Sequence, residues 1–156
     1  MISIAAEQDG QPIQSITANT SVFTPEEVDC VAELWEEYRQ NGAQVSGYYF
    51  VVERMDGHVR GYACYGPRSL TEGTFDLFWI AVDPEYRRAG VGRMLLDWVE
   101  KDIHRMGGRL IVVETSGLEK YIPTRRFYLA TGYLLEATLK DFYKEGDDLV
   151  IFTKHL

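Results

Sequence analysis

A chain of 156 residues, 46% hydrophobic and 26% charged, is long enough to bury about two-thirds of its unfolded surface, which excludes a disordered or fibrous chain. Its 24 acidic against 16 basic side chains give a formal charge of -8, so nucleic acid and anionic membranes are not expected partners, and a cationic or neutral substrate is. Cys30 and Cys64 lack CxxC spacing, and no signal peptide or apolar run of roughly 18 residues is present. A cytoplasmic location with reduced thiols is the expectation.

Before residue 22 the pattern is weak, with a turn at "AAEQDGQP". Thr24, Pro25 and Glu27 form a helix start, and Val28, Val31, Leu34, Trp35 and Tyr38 share one face of a helix that ends at Asn41-Gly42. "GYYFVVERM" and "HVRGYACYG" read as strands joined by a hairpin turn at Asp56-Gly57. A third β run, "GTFDLFWIAV", is followed by the helix "AGVGRMLLDWVEKDIHRM", which stops at Gly107-Gly108. "RLIVVET" reads as a buried strand and "PTRRFYLATG" as a short helix closed by Gly132. "YLLEATL" and "DLVIFTKHL" read as two last strands around a polar loop. His58, His104 and His155 form no metal spacing, so no metal is expected.

The junction "EYRRAGVGRML" sets two glycines where strand turns into helix, with Arg87, Arg88 and Arg93 around them. A helix N-terminus presents unpaired N–H groups and about half a positive charge, and bare glycines let a phosphate approach the backbone. The Walker sequence fails for want of Gly-Lys-Ser/Thr, and the dinucleotide fingerprint fails at Leu95. What fits is Arg/Gln-x-x-Gly-x-Gly/Ala, here Arg87, Arg88, Ala89, Gly90, Val91 and Gly92.

On that loop, and on "VETSGLEKYIPTRRFYLATGY" with its Phe-Tyr-x-x-x-Gly-Tyr ending, the chain resembles the GNAT superfamily of acetyl-CoA-dependent N-acetyltransferases. The resemblance covers roughly residues 22 to 156. It implies one domain over residues 1–156, an α/β (α+β) fold with a central mixed, mostly antiparallel sheet flanked by helices. The sheet would be splayed where acetyl-CoA enters between "FWIAV" and "LIVVE". It further implies that the backbone near Ile80, Ala81 and Val82 meets the pantetheine arm and thioester. Residues Arg87 to Arg93 would then hold the pyrophosphate through amides, with Arg88 or Arg93 as outer charge partners. Tyr128 matches the tyrosine that protonates the departing thiolate. Two departures are Tyr121, where many members have Asn, and Thr124, where Ala is usual.

An ammonium must lose a proton before it can attack. Asp76 sits on the strand where some members have a catalytic Glu, and Glu114 ends the apolar run of the next strand. Either could be the base, could hold the ammonium, or could be a structural partner of an arginine. Asp141, Glu145, Asp147 and Asp148 add acidity that would favour a cation. Cys64 reads as core filler, and Trp79 mainly as core beside the proposed acyl site. The expected reaction is acetylation of a primary amine on a small metabolite. Protein N-terminal or lysine acetylation, and a non-catalytic acyl-CoA sensor, are the alternatives. Homodimerisation stays open.

Overall fold

The hydroxyl of Thr24 accepts from the Glu27 amide at 3.2 Å while the Glu27 carboxylate accepts from the Thr24 amide at 3.3 Å. That reciprocal cap opens a helix as the sequence predicts. A computed structural model describes residues 1–156. In chain order the elements are β1 (Ile2–Ile4), α1 (Gly10–Asn19), α2 (Pro25–Ser46), β2 (Tyr49–Met55), β3 (His58–Pro67), β4 (Thr74–Val82), α3 (Val91–Arg105), β5 (Leu110–Ser116), α4 (Ile122–Ala130), β6 (Leu134–Lys144) and β7 (Asp147–His155). They form one α/β fold with a seven-stranded sheet in the order β1-β2-β3-β4-β5-β7-β6.

The mixed, mostly antiparallel sheet is as expected. β1–β2, β2–β3, β5–β7 and β6–β7 are antiparallel, and β4–β5 is parallel. The parallel ladder is short, pairing Thr74–Asp76 with Leu110–Val112. β5 from Val113 to Ser116 has ladder partners on β7. This brevity is what a splayed pair requires.

Contacts divide the chain into two compact units, Met1–Gly66 with Phe78–Asp102, and Pro67–Leu77 with Ile103–Leu156. In the first unit the core gathers Ile13, Ile16, Val31, Trp35, Phe50 and Tyr62, with Phe23 and Trp79 packed at its margin. Trp35 meets Phe50 edge-on at 5.3 Å and Tyr38 at 5.4 Å, contacts each worth about 0.5–1.5 kcal/mol beyond the area they bury. The hairpin at Asp56-Gly57 forms with φ of 50° and 80°, the paired positive values that a two-residue turn of the primed type needs.

One expectation for this unit is corrected and one extended. The segment of weak pattern before residue 22 holds β1 and α1 as well as the turn, because Ile13, Ile16 and Thr17 make a buried stripe at helical spacing too short to stand out from polar neighbours. The first stretch of α2 does end at Asn41-Gly42, where Gly42 is non-helical at φ 73° and ψ 168°. A further short helical turn then runs on to Ser46 before Gly47 caps it at φ 77°.

In the second unit, α4 covers one face of the β5-β7-β6 ladders. Tyr128 on α4 lies 5.6 Å from the Phe152 ring and 5.5 Å from Tyr133. Ladder partners share a face and alternate residues change face. Phe152, paired with Val113 and Leu135, therefore marks the α4 side. The opposite face carries Asp76, Val112, Thr153 and Leu134 in one row and Glu114, Ile151 and Ala137 in the next. β6 runs further than predicted, to Lys144, and the connection shrinks to Glu145-Gly146. The acidic residues there are hairpin ties. Asp148 accepts from the Asp141 amide, Asp141 from the Gly146 amide, and Asp147 from Ser116.

Candidate active site

Strand β4 ends at Val82, a 3-10 turn covers Pro84–Tyr86, and α3 begins at Val91. Ile80 and Val82 are half-buried and Ala81 is buried. The helix can start close to the sheet because Gly61 on β3 has no side chain. A Cβ there would lie 2.9 Å from the Ala81 carbonyl oxygen and about 3 Å from Val91 and Leu95. Burial of Val91 and Leu95 then anchors the first turn of α3.

The loop itself turns through two left-handed residues, Arg88 at φ 66° and Gly90 at φ 78°. The Met94 amide bonds to the Gly90 carbonyl at 3.0 Å. The amides of Val91, Gly92 and Arg93 thus precede the first helical bond and have no intrahelical partner. No protein atom lies within 4 Å of where a Gly90 Cβ would stand. An exposed patch of N–H groups at the positive end of a 15-residue helix can receive a diphosphate. Arg88, Ala89 and Arg93 are exposed beside it. Arg87 differs: its guanidinium donates to the Thr20 carbonyl at 3.1 Å, so its side chain ties the loop to the end of α1.

The second unit holds the three candidate catalytic side chains. Tyr128 is buried, and burial alone pushes its phenol well above the ordinary tyrosine value. A phenol held neutral is a proton donor. Asp76 and Glu114 come together on the face away from α4, joined by a residue that the sequence did not single out. Arg68 donates from Nε to both Asp76 oxygens, at 3.1 and 2.9 Å, and from a terminal nitrogen to Oδ1 of the same carboxylate. That terminal nitrogen also reaches Glu114 at 3.3 Å. The Asp76 hydrogen bond, first among the causes, raises the Arg68 guanidinium above its already high value.

Asp76 is thereby buried and fully engaged, whereas Glu114 is 42% exposed and holds one long contact. Arg68 could have been suspected only as a cation eight positions from an aspartate in an apolar strand. The intervening turn hides the pairing.

Other singled-out side chains are structural. Cys64 is buried, and burial drives its thiol well up, which disfavours the nucleophilic thiolate. Trp79 packs edge-on against Phe23 at 5.1 Å. Arg125 donates to the Ser116 and Leu118 carbonyls.

Comparison with known proteins places this geometry. The acetyltransferase (GNAT) family model matches residues 6–133, so the match begins well before residue 22 and includes α1. A crystal structure assigned as a GNAT-family acetyltransferase from Desulfovibrio desulfuricans is 45% identical, covers 99% of both chains and superposes with a TM-score of 0.94. An uncharacterised N-acetyltransferase from Methanocaldococcus jannaschii is 28% identical over 142 residues, 85% of this chain and 88% of its own. A Salmonella typhimurium structure containing acetyl-CoA as its cofactor shares the fold at 21% identity and a TM-score of 0.77, covering 100% of this chain and 93% of that one.

Proposed function

The chain belongs to the acetyltransferase (GNAT) family, an acetyl-CoA-dependent N-acetyltransferase, and on that premise we propose that its acceptor is the primary amine of a small metabolite, acetylated by direct attack. Residues 1–156 act as one N-acetyltransferase domain. A cytoplasmic setting with no nucleic-acid or membrane partner agrees with the charge of -8. No helix is long and apolar enough to cross a membrane.

The observation that carries the reading is the set of amides without intrahelical partners at the start of α3, beside open space where an added Gly90 Cβ would meet nothing but its chain neighbours within 4 Å. Within the loop Arg87 to Arg93, the amides of Val91, Gly92 and Arg93 hold the pyrophosphate of acetyl-CoA, since those of Arg87 and Ala89 already bond the Pro84 and Tyr86 carbonyls, and Arg88 and Arg93 add outer charge. The backbone at Ile80, Ala81 and Val82 receives the pantetheine arm and polarises the thioester carbonyl. Acetyl-CoA itself supplies the activated acyl group.

Glu114 is the better base. It is exposed and held by one long contact from Arg68 at 3.3 Å, whereas both Asp76 oxygens are occupied. Glu114 takes one proton from the ammonium, and the freed lone pair adds to the carbonyl carbon to form a tetrahedral oxyanion. Collapse breaks the C–S bond. The thiolate takes the Tyr128 phenol proton, and the nitrogen's remaining surplus proton restores the phenol. Oxyanion stabilisation and proton delivery are each worth roughly 100-fold or more in comparable reactions.

The test is thiol release from acetyl-CoA against a library of small amines, peptides and lysine-bearing proteins. Turnover with small amines supports the proposal. Turnover confined to peptides or proteins overturns the acceptor class. Tight acetyl-CoA binding without any turnover favours a sensor.

A further inference from the structure

The face that carries Asp76 and Glu114 also carries an apolar strip with no helix of its own unit on it. The ladders place Glu114, Ile151 and Ala137 side by side across β5, β7 and β6, with Val112, Thr153 and Leu134 in the adjoining row. Leu134 is 64% exposed, and Val112, Ala137 and Ile151 are partly exposed. An open sheet face of this kind is a surface that apolar matter covers favourably.

Charge on this face lies at its two edges. At the inner edge Arg68 and Asp76 cancel as a pair, which leaves the Glu114 carboxylate in excess there. Glu136, at the outer edge, is tied to the Thr153 hydroxyl at 2.6 Å. In the β6–β7 hairpin, Asp141 and Asp148 accept from amides and Asp147 accepts from Ser116. The face thus offers a place for one ammonium beside Glu114, and apolar surface leading away from it.

We propose that the acceptor is an amphiphilic primary amine, whose ammonium meets Glu114 and whose apolar chain or ring lies across Val112, Ile151, Ala137 and Leu134. This rests on the reading of Glu114 as the group that meets the ammonium. Polyamines fit less well, because a second ammonium would cross apolar side chains and lose hydration before reaching Glu136, whose carboxylate already accepts from Thr153.

The experiment compares kcat/KM for ethylamine, butylamine, hexylamine and 1,6-diaminohexane, with acetyl-CoA saturating. A fully buried methylene would give roughly fourfold, so about twofold per methylene is expected on an open face, or on the order of tenfold from ethylamine to hexylamine. Hexylamine should exceed the diamine by a similar factor. Leu134 and Leu135 are adjacent but lie on opposite faces, both exposed. Leu134→Asp should flatten the chain-length series while Leu135→Asp preserves it, with thermal melts confirming that both variants fold.

A flat series in the wild type, a preference for the diamine, or equal effects of the two variants overturns the proposal. So does sedimentation showing a wild-type dimer that Leu134→Asp dissociates, since a second copy would then own the face. If no amine is acetylated, the reaction assigned above has failed. Calorimetric binding of the same amines to the CoA-loaded protein then decides this inference separately, by the same dependence on chain length.

Discussion

The two units offer chemistry of opposite kinds. In the first, the surface proposed to meet acetyl-CoA is main chain: the amides of Val91 to Arg93, a left-handed turn through Arg88 and Gly90, and a bare Gly61 beneath. In the second it is side chain: a buried phenol, and an arginine holding one carboxylate tightly and another loosely. A main-chain site depends on backbone conformation and on the absence of atoms, so it is sensitive to added bulk and tolerant of lost charge. A side-chain site reverses both sensitivities.

Substitutions can break or sharpen that contrast. Tyr128→Phe removes one buried oxygen and should lower kcat by roughly 100- to 10,000-fold, the range for a lost general acid. Its acetyl-CoA affinity, measured by calorimetry, should stay within about twofold, and a matching loss of affinity would contradict the acid role. Gly90→Val places a β-branched residue at φ 78°, a conformation costing about 1–3 kcal/mol, and projects it into the space assigned to the diphosphate. Acetyl-CoA affinity should fall by about 100-fold or more, with a melting temperature that still reports a folded chain.

Glu114→Gln should reduce kcat/KM by about 10- to 100-fold near neutral pH, with the deficit narrowing at alkaline pH, where the amine arrives already deprotonated. Asp76→Asn should lower the rate through a loosened Arg68 by the same factor at every pH. A deficit that narrows with pH in Asp76→Asn and stays constant in Glu114→Gln would exchange the two roles. The smallest effect belongs to Arg93→Ala, whose exposed guanidinium contributes only a screened charge. Acetyl-CoA affinity should weaken a few-fold at low salt, and the difference should vanish near 1 M salt.

How far the sequence reaches differs in the same way. The strand-to-helix loop was legible because its function is spelled by neighbouring residues: glycine spacing, the strand before and the amphipathic helix after. Tyr128 was legible only through a resemblance between short motifs, since nothing local distinguishes a reactive phenol from a packed one. Helix α1 was missed because Ile13, Ile16 and Thr17 are a short stripe whose burial depends on tertiary partners. Tyr62, for example, bonds Thr17 from 45 positions away. The acidic loop was misread for a related reason. Asp147 and Asp148 look like free surface charge until the hairpin supplies the hydroxyl and amide that occupy them.

Asp76 was the first candidate in the sequence and Glu114 the second, and the fold separates them in the other direction. Their difference is one arginine, eight positions from the first and 46 from the second. No propensity or periodicity carries that information.

The sequence by itself determined the order of the elements from α2 onward, the family and the glycine turn between β4 and α3, because hydrophobic period, caps and glycine placement act within a few residues of one another. Only the tertiary structure decided which carboxylate is free, which thiol and acids are structural, and which apolar side chains share a face with Glu114. Those are matters of strand register and long-range pairing, and a one-residue shift of register would move each of them to the other side of the sheet.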